Sequence, residues 1–293
     1  MPINSYEKRT TDLQDAFLEV VTTNEKTIAA LNKGLAKDYA AMLKELKAVL
    51  ASAHEKYAVD GRLTWVELQR YDRIKKLETE IDAAIKKAYP PIRKQVVQVQ
   101  KKVIEQTYTG SVSALNNATG MTVDPYITGD QIKDTIDKPW AGMALLSFLF
   151  LLQTGFGDKI INSIRRGLLG SGVTYEDAVK DLKEIVTKDY ARMGRVNEDM
   201  SHSYQSDTQQ NTMDTFTEKG VKVTKTWSTR MDERVRDSHA ALEGATVDAD
   251  DMFTFVDGDN AGEQTDGPGT SGIANEDCGC RCVLLADVRM REE

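Results

Sequence analysis

Near the end of this 293-residue chain Asp232, Arg236 and His239 stand at i, i+4 and i+7, and Cys278, Cys280 and Cys282 follow at every second position. On a helix the first spacing lines up a carboxylate, a guanidinium and an imidazole along one face, beside the apolar Val235 and Leu242. Such a face can be an acid/base or metal-binding cluster. It can equally be an ion-paired network that ties the helix to a sheet, since Arg holds a carboxylate in bidentate geometry. Thiolate and imidazole are ligands that zinc prefers, so His239 with the cysteines makes a structural zinc the one cofactor in view. On an extended strand the three cysteines face one way at intervals of about 6 to 7 Å, too far apart to share a tetrahedral ion unless Gly279 bends the chain. Two of them with His239 can still converge. A third chemistry is a nucleophilic pair, with Cys280 or Cys282 as thiolate, His239 as base and Asp232 as orienter. Neither an oxyanion glycine pattern nor a phosphate-cradling Gly-rich loop accompanies it. His54 and His202, the latter in "SHSYQSDTQQNT", have no partner at metal-ligand spacing and are expected in solvent.

Two strands bracket these residues: "VKVTKTW", with Val221, Val223 and Trp227 on one face of a two-residue repeat, and a second at 280–285. Between them a short helix is expected from about Arg230 to Leu242, then an acidic, Gly-rich loop around Asp257 to Gly272. Residues 220–293 thus read as a small α/β module. Upstream the pattern is helical. Leu13, Phe17, Val20, Ile28, Leu31, Leu35, Tyr39, Met42, Leu46 and Leu50 recur mostly at spacings of three and four, the mark of a long amphipathic helix. The turn Asp60-Gly61 follows, and Thr64-x-x-Glu67 has the form of a capping box that starts a second helix. Its buried face runs Trp65, Leu68, Tyr71, Ile74, Leu77, Ile81 and Ile85, with an end or kink expected at Pro90-Pro91 and a third apolar-periodic stretch from Ile92 to Ile104. The expected class is mostly α with a small α/β C-terminal module. It comprises a long N-terminal helical hairpin (1–107), a connector with little regular structure (108–138), a helical middle region (139–219) with Thr174 capping its second helix, and the module.

The composition is that of a globular protein, with 40% hydrophobic and 29% charged residues. The polar opening "MPINSYEKRTTDLQDAF" does not have the form of a secretory leader, so folding in the cytosol is expected. The longest apolar run, from Ala141 to Leu152, falls short of the roughly 20 residues a membrane span needs and reads as a core helix. A net charge of −8 argues against general nucleic-acid binding, but the charge is segregated. Residues 232–266 are strongly acidic, whereas 73–102 are basic. In that basic run Lys86, Lys87, Arg93, Lys94, Lys101 and Lys102 form either a solvated helix face or a contact for DNA or an acidic partner. Three cysteines packed into five residues do not suggest a disulfide scaffold.

The stretch "TWSTRMDERVRDSHAALEGATVDADDMFTF", followed by "CGCRCVL", resembles the C-terminal region of the phage minor head, or Mu F-like head morphogenesis, family. Its pattern falls on Trp227, Asp232, Arg236, His239, Gly244, Phe253 and Cys280-Arg281-Cys282. "KPWAGMALLSFLFLLQTGFGDKIINSIRRGLLGSGVTYEDAVKDL" is similar to the family's helical middle, although the chain has Asn197-Glu198 where members often carry Thr-Glu. The resemblance implies a virion protein, not an enzyme, made in the host cytoplasm and placed at the portal vertex. It implies several copies per particle, portal protein and major capsid protein as partners, packaged double-stranded DNA as a further contact, and a part in head assembly, packaging or DNA delivery. Some family members carry appended toxin domains; the short stretch after Cys282 predicts none here.

Overall fold

A computed structural model describes residues 12–140 and 142–288; most of the polar opening segment, and Ala141 at the head of the apolar run, lie outside the described residues. The three- and four-residue apolar spacing becomes α1, Asp12–Tyr57, whose Phe17, Leu35, Tyr39, Met42, Leu46 and Leu50 are buried. Asp60 and Gly61 both take positive φ and turn the chain into the short strand β1, Arg62–Leu63. Thr64 then caps α2, Trp65–Gln69, by accepting from the Glu67 amide. That helix ends after five residues in a 3-10 turn where Tyr71 and Asp72 have φ of 56° and 54°. The kink resets the helical phase, so Tyr71 is 89% exposed instead of sharing the buried face of Leu68, Leu77, Ile81 and Ile85. The Arg73 guanidinium holds the kink, lying 4.7 Å from the Tyr57 ring centroid and 5.4 Å from that of Tyr71.

The next helix, α3, runs from Arg73 to Thr119 with Pro90 and Pro91 inside it, so of the end or kink expected there the helix does not end. The carbonyls that these prolines leave without a helical donor belong to Lys86 and Lys87, on the exposed face where solvent can serve them. Tyr89 and Ile92 on either side are wholly buried, and their packing favours continuing the helix across the prolines. The expected connector is mostly ordered too: α3 crosses its first boundary, and α4, Gly129–Asp137, begins at a capping box made by Thr128 and Gln131. Helix α5, Leu145–Leu169, follows, then β2, Val173–Thr174, antiparallel to β1, and α6, Tyr175–Glu218, with Thr174 accepting from the Asp177 amide. Within the apolar run Leu145, Leu149 and Leu152 are core, but Leu146, Phe150 and Leu151 are more than half exposed. Among the described residues no helix is long and apolar enough to cross a membrane.

The C-terminal part contains β3, Val223–Ser228; α7, Asp237–Ala240; β4, Thr246–Asp248; β5, Phe253–Thr254; β6, Gln264–Thr265; α8, Ala274–Asp277; and β7, Val283–Val288. β3 is the centre of an antiparallel sheet ordered β4-β3-β7, with Trp227 opposite Leu284, while β5 and β6 form a separate hairpin inside the acidic loop. The fold is therefore mostly α with a small α/β module.

Two compact units divide the chain, and neither is one sequence segment. Of the described residues, one takes 12–29, those within 98–145, and 196–288; the other takes 30–97 and 146–195. In the first, the sheet is covered by helix ends: Phe17 of α1, Val112 and Leu115 of α3, and Met213 and Phe216 of α6 share one core with Trp227, Phe253, Phe255 and Leu284. Here too the polar tract of α6 is interior, not solvated. Gln205 accepts from the Asn24 amide at 2.8 Å, Asn197 accepts from Gln100 at 2.7 Å, and Gln210 accepts from the fully buried Lys225 ammonium at 2.8 Å. Buried side chains of this kind are tolerable when such bonds replace water. Asn197, at the position of the Thr-Glu departure, thus serves as a packing group. At Gly110 of α3 an added Cβ would lie 2.4 Å from Val20 Cγ2 of α1, so a larger residue there would clash.

Candidate functional site

Of the six residues singled out near the C-terminus, the structure gathers His239, Cys280 and Cys282. His239 enters from the single turn of α7, and the cysteines from the segment that leads into β7. Its Nδ1 lies 3.6 Å from Cys280 Sγ and 3.4 Å from Cys282 Sγ, and the three donor atoms are all within 4.8 Å of one another. All three residues are buried. The cysteines do not spread along a strand as a regular extended chain would have them. Gly279, at φ 71°, bends the backbone before Cys280, and β7 starts only at Val283.

The other edge of the imidazole faces Glu276 of α8, with Nε2 and Oε2 3.0 Å apart. This carboxylate is itself buried, accepting from Ser238 Oγ at 2.9 Å and from Asn260 Nδ2 at 2.6 Å. Burial pushes its pKa up, but those hydrogen bonds, with the nearby Arg236 charge, outweigh it and leave the group below the ordinary carboxylate value. Aromatic rings wall the pocket: the Trp227 ring stands edge-on to the imidazole at 5.2 Å and Phe255 stacks on it at 5.8 Å. The two thiols are coupled. Cys282 is the member lowered, chiefly because Cys280 hydrogen-bonds to it with further help from His239, and Cys280 is raised by the same bond and by burial.

Asp232, Arg236 and His239 do not share a helix, because α7 begins only at Asp237. Asp232 instead accepts from the Arg234 amide in a local turn, an arrangement that competes with helix formation. It then takes Arg281 as its partner, bidentate, with one bond of 2.7 Å, and that contact lowers its pKa to about 2. Arg236 donates to the backbone carbonyls of Glu276 and Cys278. Cys278 stays out of the cluster: it is the C-cap of α8, and what it contributes is that carbonyl. The other residues of the pattern are structural. Phe253 packs edge-on against Trp227 at 5.4 Å, and Gly244, at φ 74°, turns the chain into β4 while its amide donates to the Trp227 carbonyl. The ion-paired network and the His–Cys cluster are thus separate features joined by the Cys-Arg-Cys segment.

Glu276, Ser238, Asn260 and Phe255 escaped the sequence reading because they come from the acidic loop and its neighbours, where no periodicity marks an inward face. His202 is a correction: it is not solvated, and its Nε2 is buried on the α6 side of the Gly269 turn, whose added Cβ would lie 3.1 Å from the imidazole. His54 is half-buried, edge-on to Tyr175 at 5.7 Å. In the basic run of α3, Lys86 pairs with Asp82 and Lys87 with Glu45, at 2.6 and 2.7 Å, while Lys94, Lys101 and Lys102 are exposed and Arg93 is half-buried.

Residues 158–285, which contain the whole cluster, match the family described as Phage Mu protein F like protein. Residues 11–109 match Glutathione S-transferase, C-terminal domain. Minor head protein GP7 of Bacillus phage SPP1 is 24% identical over 262 residues, 89% of this chain and 83% of that one. A protein named NAD(+)--arginine ADP-ribosyltransferase EFV, of Enterococcus faecalis (strain ATCC 700802 / V583), is 27% identical over 215 residues. That alignment takes in 73% of this chain but 43% of EFV, so the chain spans less than half the length of that relative. No solved structure matches. The expectation that the chain is not an enzyme is overturned by these findings, since a protein named as a transferase aligns with most of it and its N-terminal helices match a domain named for another transferase.

Proposed function

We propose that the chain, which is similar to a phage minor head protein along most of its length, is a virion protein of head morphogenesis that works at the portal vertex. There it contacts portal protein and major capsid protein, in several copies per particle, and takes part in head assembly, DNA packaging or DNA delivery. The observation that carries this is the alignment of a minor head protein along 89% of the chain.

The finer proposal, contact with packaged double-stranded DNA, rests on α3. Lys87, Lys94 and Lys101 recur at intervals of seven, so the helical period places these three along one stripe, with Lys86 and Arg93 on one flank and Lys102 on the other. Releasing Lys86 and Lys87 from their exposed carboxylates costs little, because surface pairs contribute about 0–1 kcal/mol.

Heads assembled from the cognate capsid and portal proteins should incorporate the chain, and shells assembled without portal should not. Equal incorporation in both would overturn the portal assignment. Replacing Lys86, Lys87, Arg93 and Lys94 together by Gln should weaken retention on double-stranded DNA and flatten its dependence on salt, by about one unit of slope for each phosphate no longer neutralised. Unchanged retention and slope would reduce the stripe to a solvated face.

A further inference from the structure

We propose that His239 Nδ1, Cys280 Sγ and Cys282 Sγ are the protein ligands of one thiophilic divalent cation, zinc in the first instance, with its fourth position open to a small cavity bordered by Arg236, Gly279 and Arg281.

Bond lengths of about 2.3 Å to sulfur and about 2.0–2.1 Å to nitrogen put N and S ligands of a tetrahedral zinc about 3.6 Å apart. The observed separations of Nδ1 from the two sulfurs are 3.6 and 3.4 Å, so an ion fits with adjustments of tenths of an ångström. An independent feature points the same way. A metal-bound imidazole ordinarily gives its second N–H to a carboxylate, which fixes the tautomer and makes the ligating nitrogen more basic. Here the buried Glu276 lies on the Nε2 side and is held by Ser238 and Asn260. With the proton on Nε2, Nδ1 presents its lone pair towards both sulfurs.

Charge also balances. Two thiolates and a neutral imidazole neutralise a divalent ion, so the ligand set carries no net charge once filled; the Glu276 carboxylate beside it is met by the nearby Arg236 charge, and the arginines at the cavity can favour water or a small anion as the fourth ligand. Three protein ligands with one open position is an arrangement that catalytic zinc sites use, whereas structural sites close all four. The inference stands independently of the portal proposal.

The full chain, purified under mild reductant without chelator, should carry close to one zinc per molecule by elemental analysis. Replacing zinc by cobalt should give the intense visible bands of a tetrahedral ion and a thiolate-to-metal band in the near ultraviolet. Cys280→Ser and Cys282→Ser should lose both, Cys278→Ser should keep both, and Glu276→Gln should weaken metal affinity about 10–100-fold while leaving the fold intact. Should the serine variants not fold, the Cys278 and Glu276 variants still decide. Folded wild-type chain with three reactive thiols, no zinc and no cobalt spectrum would overturn the proposal. So would metal retained in Cys282→Ser, or affinity unchanged in Glu276→Gln.

Discussion

Trp227→Ala should cost about 3–5 kcal/mol, the range for removing a large aromatic side chain from a packed core. Trp227 is wholly buried in the central strand β3, with Phe253, Phe255 and His239 around its ring at 5.4, 6.2 and 5.2 Å between centroids. The first two contacts come from the β5 region and the third from α7, so one side chain ties the sheet to the loop and to the His–Cys cluster. Alanine leaves a cavity that β3 cannot collapse into, because its backbone is bonded to β4 on one side and β7 on the other. Urea unfolding should shift to lower midpoint, and amide exchange in β3 and β7 should accelerate more than in α1. Trp227→Phe keeps a ring in the box and should cost clearly less. A loss below about 1 kcal/mol for the alanine variant would mean that the aromatic box is not what holds this unit.

The same tryptophan shows what the sequence made legible and what it did not. Alternation in "VKVTKTW" identified its strand, and period-3.6 spacing from Leu13 to Leu50 identified α1, because in both cases one face is apolar and the signal is local. Pro90-Pro91 misled because a proline's cost is local while the packing of Tyr89 and Ile92 that overrides it is tertiary. The tract "SHSYQSDTQQNT" looked like surface for a related reason. Its Gln205 accepts from Asn24 and its Ser201 donates to Gln100, residues that lie a hundred positions away or more and carry no mark of that pairing. Domain order was obscured by helix length. Because α1, α3 and α6 each pass through both compact units, the breaks in periodicity fall where helices end and not where units meet.

In the candidate site the residue types were readable and the partnerships were not. Asp232 and Arg236 were expected to pair along a helix, yet each found a partner in the Cys-rich segment some forty to fifty residues on: Arg281 for one, the Glu276 and Cys278 carbonyls for the other. The convergence of His239 with two cysteines depends on the bend at Gly279 and on α7 being a single turn. Glu276 was hidden among many acids, and its partners Asn260, between β5 and β6, and Ser238 of α7 carry no sequence mark of the contact.

The second large effect belongs to the other unit. Asp189 of α6 is buried and accepts from the Tyr39 hydroxyl at 2.8 Å and the Tyr89 hydroxyl at 3.1 Å, both on the same oxygen. Burial raises both tyrosines, with the Asp189 charge adding to it, so both stay protonated and can donate to the carboxylate. Asp189→Ala strips two buried hydroxyls of their acceptor, at about 1–3 kcal/mol each, and should cost roughly 2–6 kcal/mol. Asp189→Asn keeps an acceptor oxygen and should cost less, and it isolates the charge. Burial pushes the Asp189 carboxyl above its ordinary 3.8, more than the two hydroxyls and the nearby Lys159 and Arg192 charges pull it down. Between 3.8 and the higher folded value, the folded chain therefore binds more protons at this site than the unfolded chain does, and stability falls as pH rises through that window. The wild-type chain should thus lose stability relative to Asp189→Asn as pH climbs from about 4, then run parallel to it once the folded carboxyl has ionised. A wild-type advantage that grows over that range would mean that the tyrosines and the cations outweigh burial, and that Asp189 sits in the folded protein as a stabilised anion.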